Sequence, residues 1–168
     1  MTSGADEDRA VWAFAEHEHV DLARGIDRIH DVASLAGQTP TPELSARVLN
    51  VLRWLDGTLG PHIAWEDSWL FPEIDARTGS PAATLAARFE HRQIRDAIAR
   101  LRADHDRLDH RGGGPGDKNA ATRSDLIRLE ELIRAHLKRE ERFLFPLLEE
   151  GRRPVQSRAT TSAAVAHD

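Results

Sequence analysis

The sequence contains no cysteine and no tyrosine among its 168 residues. The lack of cysteine excludes disulfides, thiolate zinc sites, cysteine-bound iron–sulfur clusters and thiol catalysis. The lack of tyrosine excludes a tyrosinate metal ligand. Histidine and carboxylate are therefore the strong metal ligands that remain, and the chain has nine histidines and 28 acidic residues.

The sequence also lacks long apolar runs and a basic face. No apolar segment approaches the roughly 18–20 residues that a membrane span needs. The acidic N-terminal segment does not resemble a secretory signal, which starts with basic residues. The net charge is −5, with acidic and basic residues interspersed, and this argues against nucleic acid as a main partner. We expect a cytoplasmic protein that binds neither nucleic acid nor membrane.

Helical periodicity dominates the sequence, and no run shows the alternation of a strand. Breaks rich in glycine and proline separate four predicted helices, at about residues 6–36, 42–76, 81–110 and 121–150. A kink is predicted at Gly60-Pro61. Short connections favour an all-α, up-down-up-down four-helix bundle over residues 1–150. Residues 151–168 lack an amphipathic pattern and are predicted to be a disordered tail.

The two halves of the chain share a motif of the form H-x-x-x-E-[DE]-x-x-L-F-P. It starts at His62 and again at His136, an offset of 74 residues. The first and third helices match at the same offset, because His17 and Val20 correspond to His91 and Ile94. The sequence therefore predicts a helical hairpin that occurs twice.

Each half supplies one histidine, followed later by a histidine and a glutamate four residues apart. A helix places residues four apart on one face. Two histidines and one carboxylate, with open positions, form a ligand set typical of non-haem iron, and two sets suggest two metals. Packing alone does not explain this pattern, since an unpaired buried glutamate is costly. The predicted ligands are His17, His62, Glu66, His91, His136 and Glu140.

The motifs resemble those of the hemerythrin and HHE cation-binding family, over about residues 6–150. The pattern is similar to that of bacterial di-iron proteins linked to repair of nitrosative and oxidative damage to iron centres. The resemblance implies a four-helix bundle with a non-haem di-iron centre, in which Glu66 and Glu140 bridge the metals. Zinc or manganese can bind the same donors.

Two positions depart from the oxygen-carrying members of that family. These have a second histidine four residues after the third-helix ligand, where this chain has Arg95, and an aspartate five residues after the last histidine, where it has Glu141. Glu141 remains an alternative ligand to Glu140. The departures disfavour reversible oxygen carriage.

The predicted function is redox chemistry on peroxide, NO or O₂, in an oxidative or nitrosative stress response or in protection of iron centres. A catalase-like, peroxidase or NO-reducing activity would fit this role. The alternative is a non-catalytic sensor, carrier or iron reservoir.

Several polar residues lie next to the predicted ligands. His19 is two residues from His17, about 200° around the helix, and is expected at the surface. Asp67 and Glu141 either face solvent or accept the second ring N–H of a ligand histidine. Arg95 either pairs with a carboxylate or points outward.

Overall fold

The computed structural model describes the backbone of residues 4–110 and 117–150, and the side chains of residues 18–108 and 119–148. The predicted tail, residues 151–168, lies outside this part of the chain. Helix α1 is Gly4–Leu35. Helix α2 consists of Thr41–Trp54, Leu55–Leu59, Gly60–Trp65, Glu66–Leu70 and Phe71–Thr78. Helix α3 is Leu85–His110, after a 3₁₀ turn at Pro81–Ala83. Helix α4 consists of Asp117–Arg139, Glu140–Leu144 and Phe145–Glu150.

The local sequence explains where α2 begins and ends. Pro42 lies in its first turn, where no backbone N–H is needed, and Glu43 complements the positive end of the helix dipole. Gly79 ends the helix with φ at 68°, a left-handed conformation that glycine adopts without strain. Helix α4 begins at Asp117, so the predicted start near residue 121 is about one turn too late.

Three π-helical turns interrupt the α-helical hydrogen bonding, and each lies just before a proline. The turns are Leu55–Leu59, Glu66–Leu70 and Glu140–Leu144, and the prolines are Pro61, Pro72 and Pro146. A proline inside a helix lacks the N–H donor, and its ring clashes with the carbonyl four residues earlier. A π turn, with its wider i→i+5 hydrogen bond, relieves that crowding. The first π turn lies at the position where the sequence predicted a kink.

Neighbouring helices run in opposite directions. Two side-chain pairs join α1 to α4, two join α2 to α3, and two join α3 to α4, and in each case the residue that comes later on one helix pairs with the residue that comes earlier on the other. These pairs are His19–Glu141 and Asp27–Arg134, Asp56–Arg102 and Asp67–His91, and Glu90–Arg139 and Arg100–Asp125. Every element in the described part of the chain is helical. The predicted all-α four-helix fold is therefore confirmed.

The buried apolar residues form two clusters along the bundle. The larger cluster draws on all four helices. The smaller one contains Leu70, Phe71, Ile74, Ala87, Leu144, Phe145 and Leu148. On α2, α3 and α4, the residues between the two clusters include buried histidines and glutamates. A polar layer therefore crosses the bundle between two apolar regions. Within the described residues, no helix is both long and apolar enough to cross a lipid bilayer.

The structure does not confirm the predicted repeat of a whole hairpin. The π turns that start at Glu66 and Glu140 do share the 74-residue offset. The first and third helices do not follow it, because Val20 is 53% exposed whereas its expected counterpart Ile94 is fully buried.

Candidate metal centre

Six buried side chains from all four helices converge in the polar layer. They form two groups of four, in each of which the potential ligand atoms lie within 4.8 Å of one another. One group is His19, His62, Glu66 and Glu140, and the other is Glu66, His91, His136 and Glu140. None of the six is more than 6% exposed. Glu66 and Glu140 belong to both groups. The two groups therefore define two adjacent positions that could each hold a metal ion, and the two carboxylates are shared between them.

Glu66 turns one oxygen toward each group. Its Oε1 lies 2.9 Å from Nε2 of His62, one turn earlier on α2. Its Oε2 lies 3.1 Å from Nε2 of His91 on α3. A carboxylate in this orientation can bridge two cations.

Glu140 repeats this arrangement from α4. Its Oε2 lies 3.4 Å from Nε2 of His19, and its Oε1 lies 3.4 Å from Nε2 of His136. In the second group, Nε2 of His136 and Nε2 of His91 are 3.0 Å apart. The four inward ring nitrogens and the four carboxylate oxygens thus surround one small region.

Several of these buried atoms have no hydrogen-bond partner, because their short separations lack hydrogen-bond geometry. They are Nε2 of His19, Nε2 of His62, Oε1 of Glu66 and both oxygens of Glu140. A buried polar atom left without a partner costs about 1–3 kcal/mol. Metal cations would provide a partner for every one of them, so the residues present fit a pair of metal ions.

Each inward histidine places its other ring nitrogen, Nδ1, next to a carboxylate on a neighbouring helix. Donation of a hydrogen bond from Nδ1–H fixes the tautomer and leaves the Nε2 lone pair facing inward. The distances from Nδ1 are 3.0 Å for His62 to Glu18, 2.8 Å for His91 to Asp67, 3.3 Å for His136 to Glu90 and 3.1 Å for His19 to Glu141.

These four contacts form a closed ring around the bundle, which we call the carboxylate ring. A carboxylate on α1 contacts a histidine on α2, one on α2 contacts α3, one on α3 contacts α4, and one on α4 contacts α1. Each carboxylate is the sequence neighbour of an inward-facing residue, as Glu18 is of His19 and Glu141 is of Glu140. On each helix, two consecutive residues therefore have different roles. One faces the centre, and the other contacts Nδ1 of a histidine on the neighbouring helix.

The pKa values of the two buried glutamates are shifted in opposite directions when no metal is present. Burial raises the pKa of Glu140 well above its usual range, and the negative charge of Glu66 raises it further. Burial acts on Glu66 in the same direction, but the three histidine rings beside it, His136, His62 and His91, outweigh burial and hold the pKa of Glu66 well below its usual range. The surroundings therefore favour the ionised form of Glu66 and the protonated form of Glu140.

The pKa values of two inward histidines are also shifted in opposite directions. Burial lowers the pKa of His19, which favours the neutral ring that a metal requires. Burial acts against the charged form of His136 too, but Glu140, Glu66 and Glu90 raise the pKa of His136 to about 10. A metal ion that binds His136 at neutral pH must therefore displace a proton from it, and the raised pKa of Glu140 acts in the same sense.

Aromatic rings from the repeated Leu-Phe-Pro segments pack against the inward histidines. The ring of Phe71 stacks on His91 with centroids 5.0 Å apart, and the ring of Phe145 lies 5.1 Å from His19. The centroid of Trp65 lies 6.4 Å from that of His62. These rings cover the polar layer on the side of the smaller apolar cluster.

The first-helix histidine in the centre is His19, and the prediction that it lies at the surface is wrong, since it is only 6% exposed. The side chain of His17 lies outside the described residues. The spacing of apolar residues along α1 could have indicated that His19 faces the core. His19 continues the buried stripe of Leu22, Ile26 and Ile29, at intervals of three and four residues.

The structure also places the residues whose roles were open. Glu140, not Glu141, belongs to both ligand groups. Asp67 accepts a hydrogen bond from His91 rather than facing only solvent. Arg95 pairs with Asp67, with its NH2 atom 2.5 Å from Oδ2, and its side chain is 50% exposed.

Comparison with protein families agrees with this geometry. The family model of the hemerythrin HHE cation binding domain matches residues 11–148, and matches again at residues 86–165. The chain therefore belongs to the hemerythrin HHE cation-binding domain family. Domains of this family bind metal cations, and the two histidine and glutamate groups are where this chain could hold them. No curated protein and no solved structure gave a match.

Proposed function

We propose that this chain is a non-haem di-iron protein that reacts with a small oxidant, namely peroxide, NO or O₂. The observation that carries the proposal is the pair of four-residue groups that have Glu66 and Glu140 in common. The proposed metal ligands are His19, His62, Glu66, His91, His136 and Glu140. His19 takes the place that the sequence pattern gave to His17.

The donor set supports iron. Each metal position is offered two imidazole nitrogens and one oxygen from each shared glutamate. Four protein donors leave positions open on an octahedral iron, and nitrogen and oxygen donors with open positions are typical of non-haem iron sites that react with oxygen species. Iron would supply redox chemistry by cycling between Fe(II) and Fe(III). Zinc or manganese can occupy the same donors without changing the assignment of ligands.

Burial supports a small reactant. All six ligand side chains are nearly or fully buried, and the rings of Phe71 and Phe145 pack directly against two of the histidines. A large organic substrate would have to displace part of the core to reach Nε2 of any of them. Peroxide and diatomic molecules need much less space.

The protein side chains would bind and orient rather than act as acids or bases on the reactant. The carboxylate ring contacts the outward Nδ1 atoms of the histidines, not the inward region where a reactant would bind. Its role is to hold each ring and its tautomer. We propose that the resulting activity protects the iron centres of the cell during oxidative or nitrosative stress in the cytoplasm.

The first test is metal content on freshly purified protein, with the visible spectrum beside it. The proposal predicts about two irons per chain and the near-ultraviolet charge-transfer bands of an oxo-bridged pair. If no metal is bound, and none is taken up anaerobically from Fe(II), the di-iron assignment is wrong.

The second test separates turnover from binding. Peroxide is added to the iron-loaded protein, and oxygen evolution is followed with an electrode. Sustained evolution that disappears in His62→Ala supports a catalase-like enzyme. A single stoichiometric change in the spectrum, without turnover, supports the alternative of a sensor, carrier or iron reservoir.

A further inference from the structure

The four members of the carboxylate ring differ in their own partners. Asp67 uses Oδ1 for His91 and Oδ2 for NH2 of Arg95, at 2.5 Å. Glu90 uses Oε2 for His136 and Oε1 for Nε of Arg139, at 2.7 Å. Both carboxylates that support the His91 and His136 group are therefore paired with arginines.

The other two members support His62 and His19 and have no such pairing. Glu18 contacts Nδ1 of His62, and Glu141 contacts Nδ1 of His19. Within the described part of the chain, no lysine or arginine pairs with either carboxylate. Neither carboxylate is therefore neutralised by a cation of the described residues.

Two physical effects of this difference act in the same direction. First, an arginine-bound carboxylate is a weaker acceptor, so the histidine that donates to it is a weaker electron donor to a metal. Second, each carboxylate–arginine pair is neutral overall, whereas Glu18 and Glu141 leave two negative charges near their group. A higher metal charge is stabilised by strong donors and nearby negative charge.

We infer that the two iron positions are unequal, and that Arg95 and Arg139 make them so. The position of His91 and His136 favours Fe(II), and the position of His19 and His62 favours Fe(III). Removal of one electron from the di-ferrous protein therefore oxidises the iron held by His19 and His62. Both arginines are positioning residues that act through Asp67 and Glu90. This inference rests on the proposed di-iron function.

The test is a spectroelectrochemical titration of the iron-loaded protein, in which each step passes one electron from iron to the electrode through a mediator. The wild type is expected to show two one-electron potentials. The double variant Arg95→Gln/Arg139→Gln should lower the higher potential, because the His91 and His136 position loses its cations. The expected change is about tenfold in the one-electron equilibrium constant, or about 59 mV, and the lower potential should move much less.

Three further variants make the result specific. Arg95→Lys/Arg139→Lys keeps the positive charges and should restore the higher potential. Glu18→Gln keeps an acceptor for His62 but removes the charge, so it should raise the lower potential instead. The control is Arg92→Gln, which removes an exposed positive charge from α3. The Arg92 side chain donates to the carbonyl of Arg88 and not to the carboxylate ring, so this variant should change neither potential.

The possible failures can be told apart. If the protein does not bind two irons, the di-iron function itself is wrong. If it binds two irons but Arg95→Gln/Arg139→Gln shifts both potentials equally, or neither, the inference about the arginines is overturned. Should the double variant fold poorly, Glu18→Gln decides the matter, since an unchanged lower potential in that variant also contradicts the inference.

Discussion

Glu141 accepts a hydrogen bond from Nδ1 of His19, at 3.1 Å, and this contact fastens the end of α4 to α1. The same contact turns Nε2 of His19 toward Glu140, 3.4 Å away. The imidazole is therefore held at Nδ1, and its Nε2 faces the centre. The two consecutive glutamates of α4 have separate tasks, because one faces the centre and the other holds a histidine.

This geometry predicts that His19, rather than His17, binds metal. Replacement of His19 by Ala should remove one imidazole from the position that it shares with His62, and the metal content should fall by about half. His17→Ala is the matched variant, two residues away on the same helix, and should retain the wild-type content. Metal analysis after gel filtration measures both. The opposite pattern would restore the ligand assignment made from the repeat.

The carboxylate ring predicts a loss of metal affinity when a supporting carboxylate is removed. Asp67→Ala leaves Nδ1 of His91 without its acceptor, and outer partners of this kind are typically worth about 10–100-fold in affinity. Competition with a coloured chelator measures the change. Asp56→Ala serves as the control, because Asp56 is also on α2 but pairs with Arg102 at an exposed site. Equal losses in both variants would argue against a specific role for Asp67.

Metal binding should release protons at neutral pH. The pKa of His136 is raised to about 10, so at pH 7.5 its ring is protonated in the metal-free protein, and the raised pKa of Glu140 favours the protonated carboxyl in the same sense. The proton on His136 must leave before its Nε2 can bind metal, so affinity should rise with pH toward about pH 10. Calorimetry in buffers of different ionisation enthalpy gives the number of protons released. Release of none at pH 7.5 would show that these groups are not ligands.

The packing of α1 on α2 predicts a stability loss at Gly25. A Cβ atom built at this glycine would lie 1.9 Å from Cζ2 of Trp54, so Gly25→Ala forces the indole to move. Overpacking of this kind costs about 1–3 kcal/mol in the free energy of unfolding. Gly57→Ala is the control, since no atom beyond the neighbouring stretch of its own helix lies within 4 Å of its added Cβ, and it should stabilise the helix by up to about 1 kcal/mol. Urea unfolding of both variants measures the difference.

Much of the fold could be predicted because its signals are local. Helical periodicity, the breaks before residues 42 and 81, and the H-x-x-x-E spacing all depend on residues within one or two turns. His62 and Glu66 face the same side of α2 because they are four residues apart, and their Nε2 and Oε1 atoms lie 2.9 Å apart. The same spacing brings His136 and Glu140 together on α4.

The first helix shows why the rest could not be predicted from the repeat. The sequence Glu16-His17-Glu18-His19 contains the dipeptide Glu-His twice, and an offset of 74 residues selects the first copy. The rotation of α1 about its axis is set by Leu22 and the residues after it, which pack in the core. For the carboxylate ring, the sequence offered Asp67 and Glu141 as possible acceptors, but it could not predict their partners, because each contact of the ring joins two helices.

The carboxylate ring described above has a consequence for how the molecule opens. Each helix contributes one histidine and one carboxylate to the ring. No helix can therefore separate from the others without breaking two of the four hydrogen bonds. Release of a bound metal and local unfolding at the polar layer are then a single cooperative event. Amide hydrogens of all four helices near this layer should exchange at a common rate, and bound metal should slow that exchange by the same factor in each helix.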